Sequence, residues 1–226
     1  MAGLFDVSTR IYRRLPTSFR NSATLEAIKA RVLPHDLIYG AEYFARDVAP
    51  AADRAAPIIS ASIVEELNPR RVVDVGCGTG ALLAALQARG CSVLGLEYAD
   101  AALQLCRNRG LPVQKFDLER DDLEGQEKFD AAISMEVAEH LPKRVADRYV
   151  SLLTRLSDTV VFTAAHRGQG GTDHVNEQPP SYWLEKYLQH GFARDDVLSE
   201  RWRNAWMASG HVQDCYYSNL MIFRRT

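Results

Sequence analysis

The sequence predicts an α/β fold: a doubly wound, mostly parallel β-sheet with helices on both faces and an antiparallel C-terminal hairpin strand. Three observations predict it. From Ala56 onward, short β-branched or apolar runs alternate with helix-length stretches, the pattern of a parallel sheet wound with helices. A glycine-rich loop, VVDVGCGTG at 72–80, lies where the first run gives way to the first of those helical stretches. The chain has 226 residues, 46% of them hydrophobic, enough for one domain with a modest extension and a core that needs no covalent staples.

The first 36 residues or so form a basic leader, in which Arg10, Arg13, Arg14, Arg20, Lys29 and Arg31 face only Asp6, Glu26 and Asp36. Ser22 or Thr24 is placed to cap a helix whose apolar residues Leu25, Ile28 and Val32 or Leu33 recur at helical spacing until Pro34. The next segment, DLIYGAEYFARDV at 36–48, carries Tyr39, Glu42, Tyr43 and Phe44, suited either to a lid or to a helix packed on its own core. Residues 1–55 are therefore expected to be a helical N-terminal extension or lid, and 56–226 the main domain. RRVVDV at 70–75 reads as the first strand and ALLAALQARG as its helix, stopped by Gly90. SVLGLE at 92–97 is a second strand, followed by a helix closed by Gly110. LPVQKFD, FDAAISM and DTVVFTA supply strands three to five, with a helix after Pro142. PPSYWLEKYLQHGF is an amphipathic helix ending at Gly191, and two extended runs around DDVLSERW and YYSNLMIFRR are expected to pair as an antiparallel hairpin.

Charge and cysteine usage exclude some classes of function. Lys plus Arg number 27 against 29 for Asp plus Glu, so no global positive field draws the chain onto DNA. Cys77, Cys91, Cys106 and Cys215 form no C-x-x-C pair and read as free thiols. No apolar run approaches the ~18 residues that span a bilayer, and the N-terminus lacks a signal-peptide pattern, so a cytoplasmic location is expected.

The glycine loop carries the chemistry. Glycines at 76, 78 and 80 let the backbone turn sharply and approach a ligand, and the helix beyond offers unpaired N–H groups. Gly76, Gly78 and Ala81 also satisfy the G-x-G-x-x-G/A pattern of dinucleotide sites, and Glu97 at the end of the second strand suits a ribose in either case. Asp74, Asp117 and the run ISMEVAEHL discriminate. With them in register, residues 56–165 resemble the class I S-adenosylmethionine-dependent methyltransferases, which implies a Rossmann-like fold and S-adenosylhomocysteine as product. The resemblance places the methionine part of the cofactor on Asp74, Gly76, Cys77, Gly78 and Gly80. It makes Glu97 the ribose acid with Tyr98 beside the adenine, sets Asp117 and Leu118 against the adenine, and puts Met135 and Glu136 in the wall after strand four. Tyr39 and Tyr43 resemble the aromatic lid of small-molecule members.

Such a reaction needs positioning and one base. His140, His166 and His174 are the candidates, all expected near the C-terminal edge of the sheet. His140 lies in MEVAEH, which resembles the M-E-V-x-E-H segment of ubiquinone-type O-methyltransferases and so implies an oxygen acceptor. HVNEQPPSYWLEKY resembles methyltransferases of glycan and natural-product pathways, implying a hydroxyl on a sugar or other small metabolite. Tyr182, Trp183, Trp202, Trp206, Tyr216 and Tyr217 are aromatic surfaces for such an acceptor, or core. If 136–140 is helical, Glu136, Glu139 and His140 share a face and, with His174, resemble the divalent-metal set of small-RNA 3′-terminal 2′-O-methyltransferases. The same E-x-x-E-H occurs in metal-free relatives, and no metal ligand is assigned here. The alternatives are an RNA or amine acceptor, a nicotinamide-dependent oxidoreductase, and a non-catalytic cofactor-binding subunit. A homodimer is compatible with the sequence.

Overall fold

The computed structural model describes residues 38–123, 125 and 127–226. The basic leader, with the expected helix between Ser22 and Pro34, lies outside the described residues.

Seven strands form one sheet in the order β3-β2-β1-β4-β5-β7-β6. They are β1 (Arg71–Val75), β2 (Ser92–Glu97), β3 (Val113–Lys115), β4 (Ala131–Met135), β5 (Thr159–Thr163), β6 (Phe192–Arg194) and β7 (Met221–Arg225). The first five pair in parallel, and β7 is antiparallel to both β5 and β6. Among the described residues the strands are accompanied by the helices α1 (Ala49–Leu67), α2 (Ala81–Ala88), α3 (Asp100–Asn108), α4 (Ala146–Leu156), α5 (Pro180–Gln189), α6 (Asp196–Ser209) and α7 (Asp214–Ser218). A helical turn at Ala41–Tyr43 and a π-helical segment at Phe44–Val48 lead directly into α1, which runs unbroken through residue 55.

The strand alternation divides the core into two layers. Val73, Val75, Ala132, Val160, Phe162 and Phe223 point to one face, where α4 and α5 cover them with Tyr149, Leu153, Trp183 and Tyr187. Val72, Val93, Ile133, Val161 and Ile222 point to the other, covered by α1, α2 and α6 through Ile59, Ile63, Leu83, Trp202 and Trp206.

One element differs in kind from the expectation. DDVLSERW is the start of α6, not a strand, and the strand that pairs with β7 is the shorter Phe192–Arg194 just before it. Asp195 caps α6 by accepting from the Leu198 amide at 3.0 Å. Leu198, Trp202 and Trp206, four residues apart, then form a buried stripe. That spacing won over the local β tendency, and α6 and α7 separate the two hairpin strands. Among the described residues no helix is long and apolar enough to cross a membrane.

Candidate active site

The C-terminal ends of β1, β2 and β4 open onto a cavity of about 1080 Å³, bounded on its far side by Tyr39, Tyr43 and Phe44. That is room for a nucleoside-sized ligand and a second small molecule. The position follows from topology. Strand order reverses between β1 and β4, and a crevice opens outside the carboxyl ends of the strands at such a switch point.

The glycine loop forms its floor. Gly76 has φ +80°, and a Cβ there would meet Val137 Cγ2 at 2.6 Å. Gly78 has φ +53°, yet a Cβ there would meet nothing within 4 Å. Gly76 is thus required by packing, whereas Gly78 leaves an opening on the cavity it lines. Gly80 does not line the cavity; its missing Cβ makes room for Leu111 and Cys106 at the start of α2. Cys77 lies in the same loop with its Sγ 4.0 Å from that of Cys106, and all four cysteines are free thiols.

Two acids flank the loop. Asp74 is buried at the end of β1, and that burial, reinforced by the charge of Glu97, raises its carboxyl to about 7. Glu97 accepts from the amides of Gly78 (2.9 Å), Tyr98 (2.7 Å) and Ala99 (2.8 Å). Burial still lifts Glu97 above the usual carboxylate range, with those three amides pulling the other way. Tyr98 is partly exposed, with Lys115 Nζ 5.7 Å from its ring centroid. Asp117 and Leu118 line the same end of the cavity, and Asp117 also caps its own turn by accepting from the Glu119 amide at 2.9 Å.

The opposite end is built from two loops. After β4, Met135 and Glu136 line the wall, and Glu136 has φ +55° with its amide held by Thr163 Oγ1 at 2.9 Å. Residues 136–140 do not form an α-helix; only Ala138–His140 makes a 3₁₀ turn, so the expected shared helical face is replaced by a looser cluster. Glu136 instead accepts from Asn219 Nδ2 at 3.2 Å. The glycine-rich loop after β5 folds back onto this turn, the Val175 and Asn176 amides donating to the Glu139 carbonyl at 2.9 and 3.0 Å. That contact brings the rings of His140 and His174 to 4.9 Å between centroids. The Tyr39 hydroxyl lies 3.0 Å from His140 Nδ1. His174 Nδ1 lies 3.1 Å from Glu177 Oε1, whose carboxylate also accepts from the Gly168 and Gly170 amides.

Of the three candidate bases, His140 and His174 line the cavity; His166 is exposed and does not. Trp183, Trp202 and Trp206 are core residues, and of the tail aromatics only Tyr216 reaches the cavity. Glu177, Asn219 and Gln169 were not anticipated. Glu177 follows His174 by three residues, a spacing that was available in HVNE.

Residues 73–158 match the family described as a methyltransferase domain. The match runs from β1 through α4, less than half of the chain. The ubiquinone biosynthesis O-methyltransferase of Alkalilimnicola ehrlichii is 30% identical over 108 residues, 45% of this chain and 44% of that protein. The one from Hahella chejuensis is 37% identical over 82 residues, 34% of each. The alignments thus span less than half the length of these curated relatives. Among solved structures, magnesium protoporphyrin IX methyltransferase from Synechocystis PCC 6803 with bound SAM superposes with TM-score 0.60 at 18% identity, covering 93% of this chain and 95% of that one. A sugar N-methyltransferase from Streptoalloteichus gives TM-score 0.57 at 16% identity over 85% and 92%. At these identities the superpositions bear on the fold of the methyltransferase domain and not on its acceptor.

Proposed function

We propose that this chain transfers the methyl group of S-adenosylmethionine to a hydroxyl of a small metabolite, with a sugar as the favoured acceptor class. The observation that carries the reading is the opening at Gly78, which faces a cavity with Asp74 and Glu97 on one side and two imidazoles on the other. The donor set fits the cofactor. Glu97 is oriented by three backbone amides and keeps oxygen lone pairs for the ribose hydroxyls. Asp74 and the loop amides suit the polar end of a methionine, while Tyr98, Asp117 and Leu118 suit the adenine.

When bound, the cofactor supplies a methyl carbon on a positively charged sulfur. Asp74, Gly78 and Glu97 would hold the cofactor, and His140 and His174 would stand beside the acceptor hydroxyl at the other end of the cavity. The hydroxyl proton leaves toward the imidazole end of the cavity, where His140 and His174 stand. Tyr39 and Tyr43 cover the same cavity from the segment before α1, which supports a lid that excludes water. The oxygen preference and the sugar class rest on the MEVAEH and HVNEQPPSYW segments and on the curated O-methyltransferase relatives.

The test is calorimetric titration with S-adenosylhomocysteine, followed by incubation with cofactor and a panel of sugars, hydroxylated metabolites and amines. Micromolar product binding and methylation of a hydroxyl support the reading. Absence of S-adenosylhomocysteine binding removes it, and methylation of amines alone removes the oxygen preference.

A further inference from the structure

The sheet ends on a strand with an open edge. β6 is the last strand in the order and, among the described residues, is hydrogen-bonded to β7 alone. The Gly191 carbonyl accepts from the Thr226 amide at 2.9 Å, the Asp195 amide donates to the Ile222 carbonyl at 2.8 Å, and Ala193 is in register with Arg224. Residues 191, 193 and 195 thus turn their backbone groups inward. Alternation turns the N–H and C=O of Phe192 and Arg194 outward, along the free edge.

Both helices beside that edge hold apolar side chains in water. Leu188 on α5 is 68% exposed, and Val197, in the first turn of α6 just beyond the strand, is 70% exposed; these are the highest values among the large hydrophobic residues described. α5 covers one face of the sheet and α6 the other. Leu184 and Leu188, one helical turn apart, form with Phe192, Ala193, Arg194 and Asp196 a groove of about 280 Å³ along the edge. The one cation and one anion of the groove, Arg194 and Asp196, are paired with each other and leave it neutral. Edge strands are commonly kept from pairing by lysine, proline or an uncompensated charge, and none of these stands in Phe192–Arg194.

We propose that this edge is the interface of a homodimer, in which β6 pairs antiparallel with β6 of a second copy across a two-fold axis at Ala193. Such an axis sets Phe192 of each copy opposite Arg194 of the other, and the outward N–H and C=O groups exchange hydrogen bonds. The sheet then runs on through both chains, and on each face the helix next to the edge meets its own counterpart, α5 beside α5 with Leu188 and α6 beside α6 with Val197. A second copy fits the face because symmetry supplies the antiparallel strand and an apolar side chain for both faces at once, and a neutral groove does not repel its own copy. No groove residue lines the cofactor cavity, so the pairing leaves both cavities clear. The inference is independent of the acceptor and of the methyl transfer proposed above.

The test is sedimentation velocity of the full chain between about 1 and about 100 µM, with S-adenosylhomocysteine affinity measured by calorimetry on the same preparations. The expected wild type is a dimer with a micromolar dissociation constant. Leu188→Glu sets two carboxylates against each other and Arg194→Pro removes an outward N–H, and each is expected to weaken the dimer at least tenfold. S-adenosylhomocysteine affinity stays within twofold in both. Circular dichroism establishes folding, and Leu188→Glu, at an exposed position, keeps the test open if Arg194→Pro does not fold. Ala193→Cys places two thiols on the axis in a non-hydrogen-bonded pair with Cα atoms about 4.5 Å apart, within reach of a disulfide. Oxidation with diamide is therefore expected to give a cross-linked dimer on a non-reducing gel, and Met207→Cys, exposed elsewhere on α6, is expected to give none. A wild type that stays monomeric at every concentration overturns the proposal. So does a dimer that Leu188→Glu leaves unchanged and Ala193→Cys does not cross-link, which places the contact on another face.

Discussion

Replacing Gly76 or Gly78 by alanine adds the same methyl group two residues apart, and the structure assigns the two changes opposite consequences. At Gly78 the backbone is left-handed with φ +53°, which costs alanine about 1–2 kcal/mol. The lower entropy of the unfolded alanine chain offsets about 0.4–1 kcal/mol of that. The net loss is about 1 kcal/mol, a fall in Tm of about 2–4 °C for a chain of this size. At Gly76 the left-handed cost recurs at φ +80°, and the new Cβ lies 2.6 Å from Val137 Cγ2 and 3.0 Å from Cγ1. Val137 is β-branched and cannot swing aside cheaply, so overpacking adds about 1–3 kcal/mol. Gly76→Ala is therefore expected to lose about 2–4 kcal/mol, most of the added part being recovered by Val137→Ala in the same chain. Ligand binding runs in the reverse order. The Gly78 methyl projects into the cavity and should weaken S-adenosylhomocysteine at least tenfold, or about 1.4 kcal/mol, despite a nearly normal melt. Differential scanning calorimetry and isothermal titration on the same preparations check both halves. Equal Tm values for the two variants, or wild-type affinity in Gly78→Ala, would refute the division of labour within the loop.

Glu97→Ala removes the acceptor of three backbone amides as well as the acid beside Gly78, so calorimetry should show S-adenosylhomocysteine affinity reduced about a hundredfold, at the upper end of what losing a buried charged partner does. Burial and the charge of Glu97 push the Asp74 carboxyl up to about 7 in the folded chain, against 3.8 for a free aspartate. Between these values the unfolded chain binds fewer protons than the folded one, so unfolding free energy falls as pH rises, by up to about 1.4 kcal/mol per unit and about 4 kcal/mol in all. Denaturant melts of the ligand-free wild type and Asp74→Asn should therefore diverge across that window, and parallel curves would remove the buried-acid assignment. His140→Ala should slow methyl transfer by about two to four orders of magnitude while sparing S-adenosylhomocysteine binding, whereas His166→Ala, on the exposed side of the loop, should leave the rate unchanged. A normal rate in His140→Ala would move proton handling to His174.

The sequence by itself determined the architecture and marked the glycine loop with the acids that flank it. A strand that must bury both faces is written as a run such as VVDV, and a backbone turn that admits no side chain is written as glycine, so β1, its loop and α2 are local statements. Asp74, Glu97 and Asp117 were legible for the same reason, since they sit inside, at the end of and just beyond strands that the pattern marks. The acceptor end was decided by tertiary structure. His140 and His174 are 34 positions apart in the numbering, and only the return of the loop after β5 onto the Glu139 carbonyl makes them neighbours. The same loop leaves His166 exposed, which residue spacing does not encode. In α6 the sequence held both readings. DDVLSERW has strand-like residues, but the Asp195 cap and the buried Leu198, Trp202 and Trp206 stripe resolve it as helix once α1 and the sheet face are present to receive them. Periodicity reports which residues want burial; the partner that buries them is a property of the whole chain.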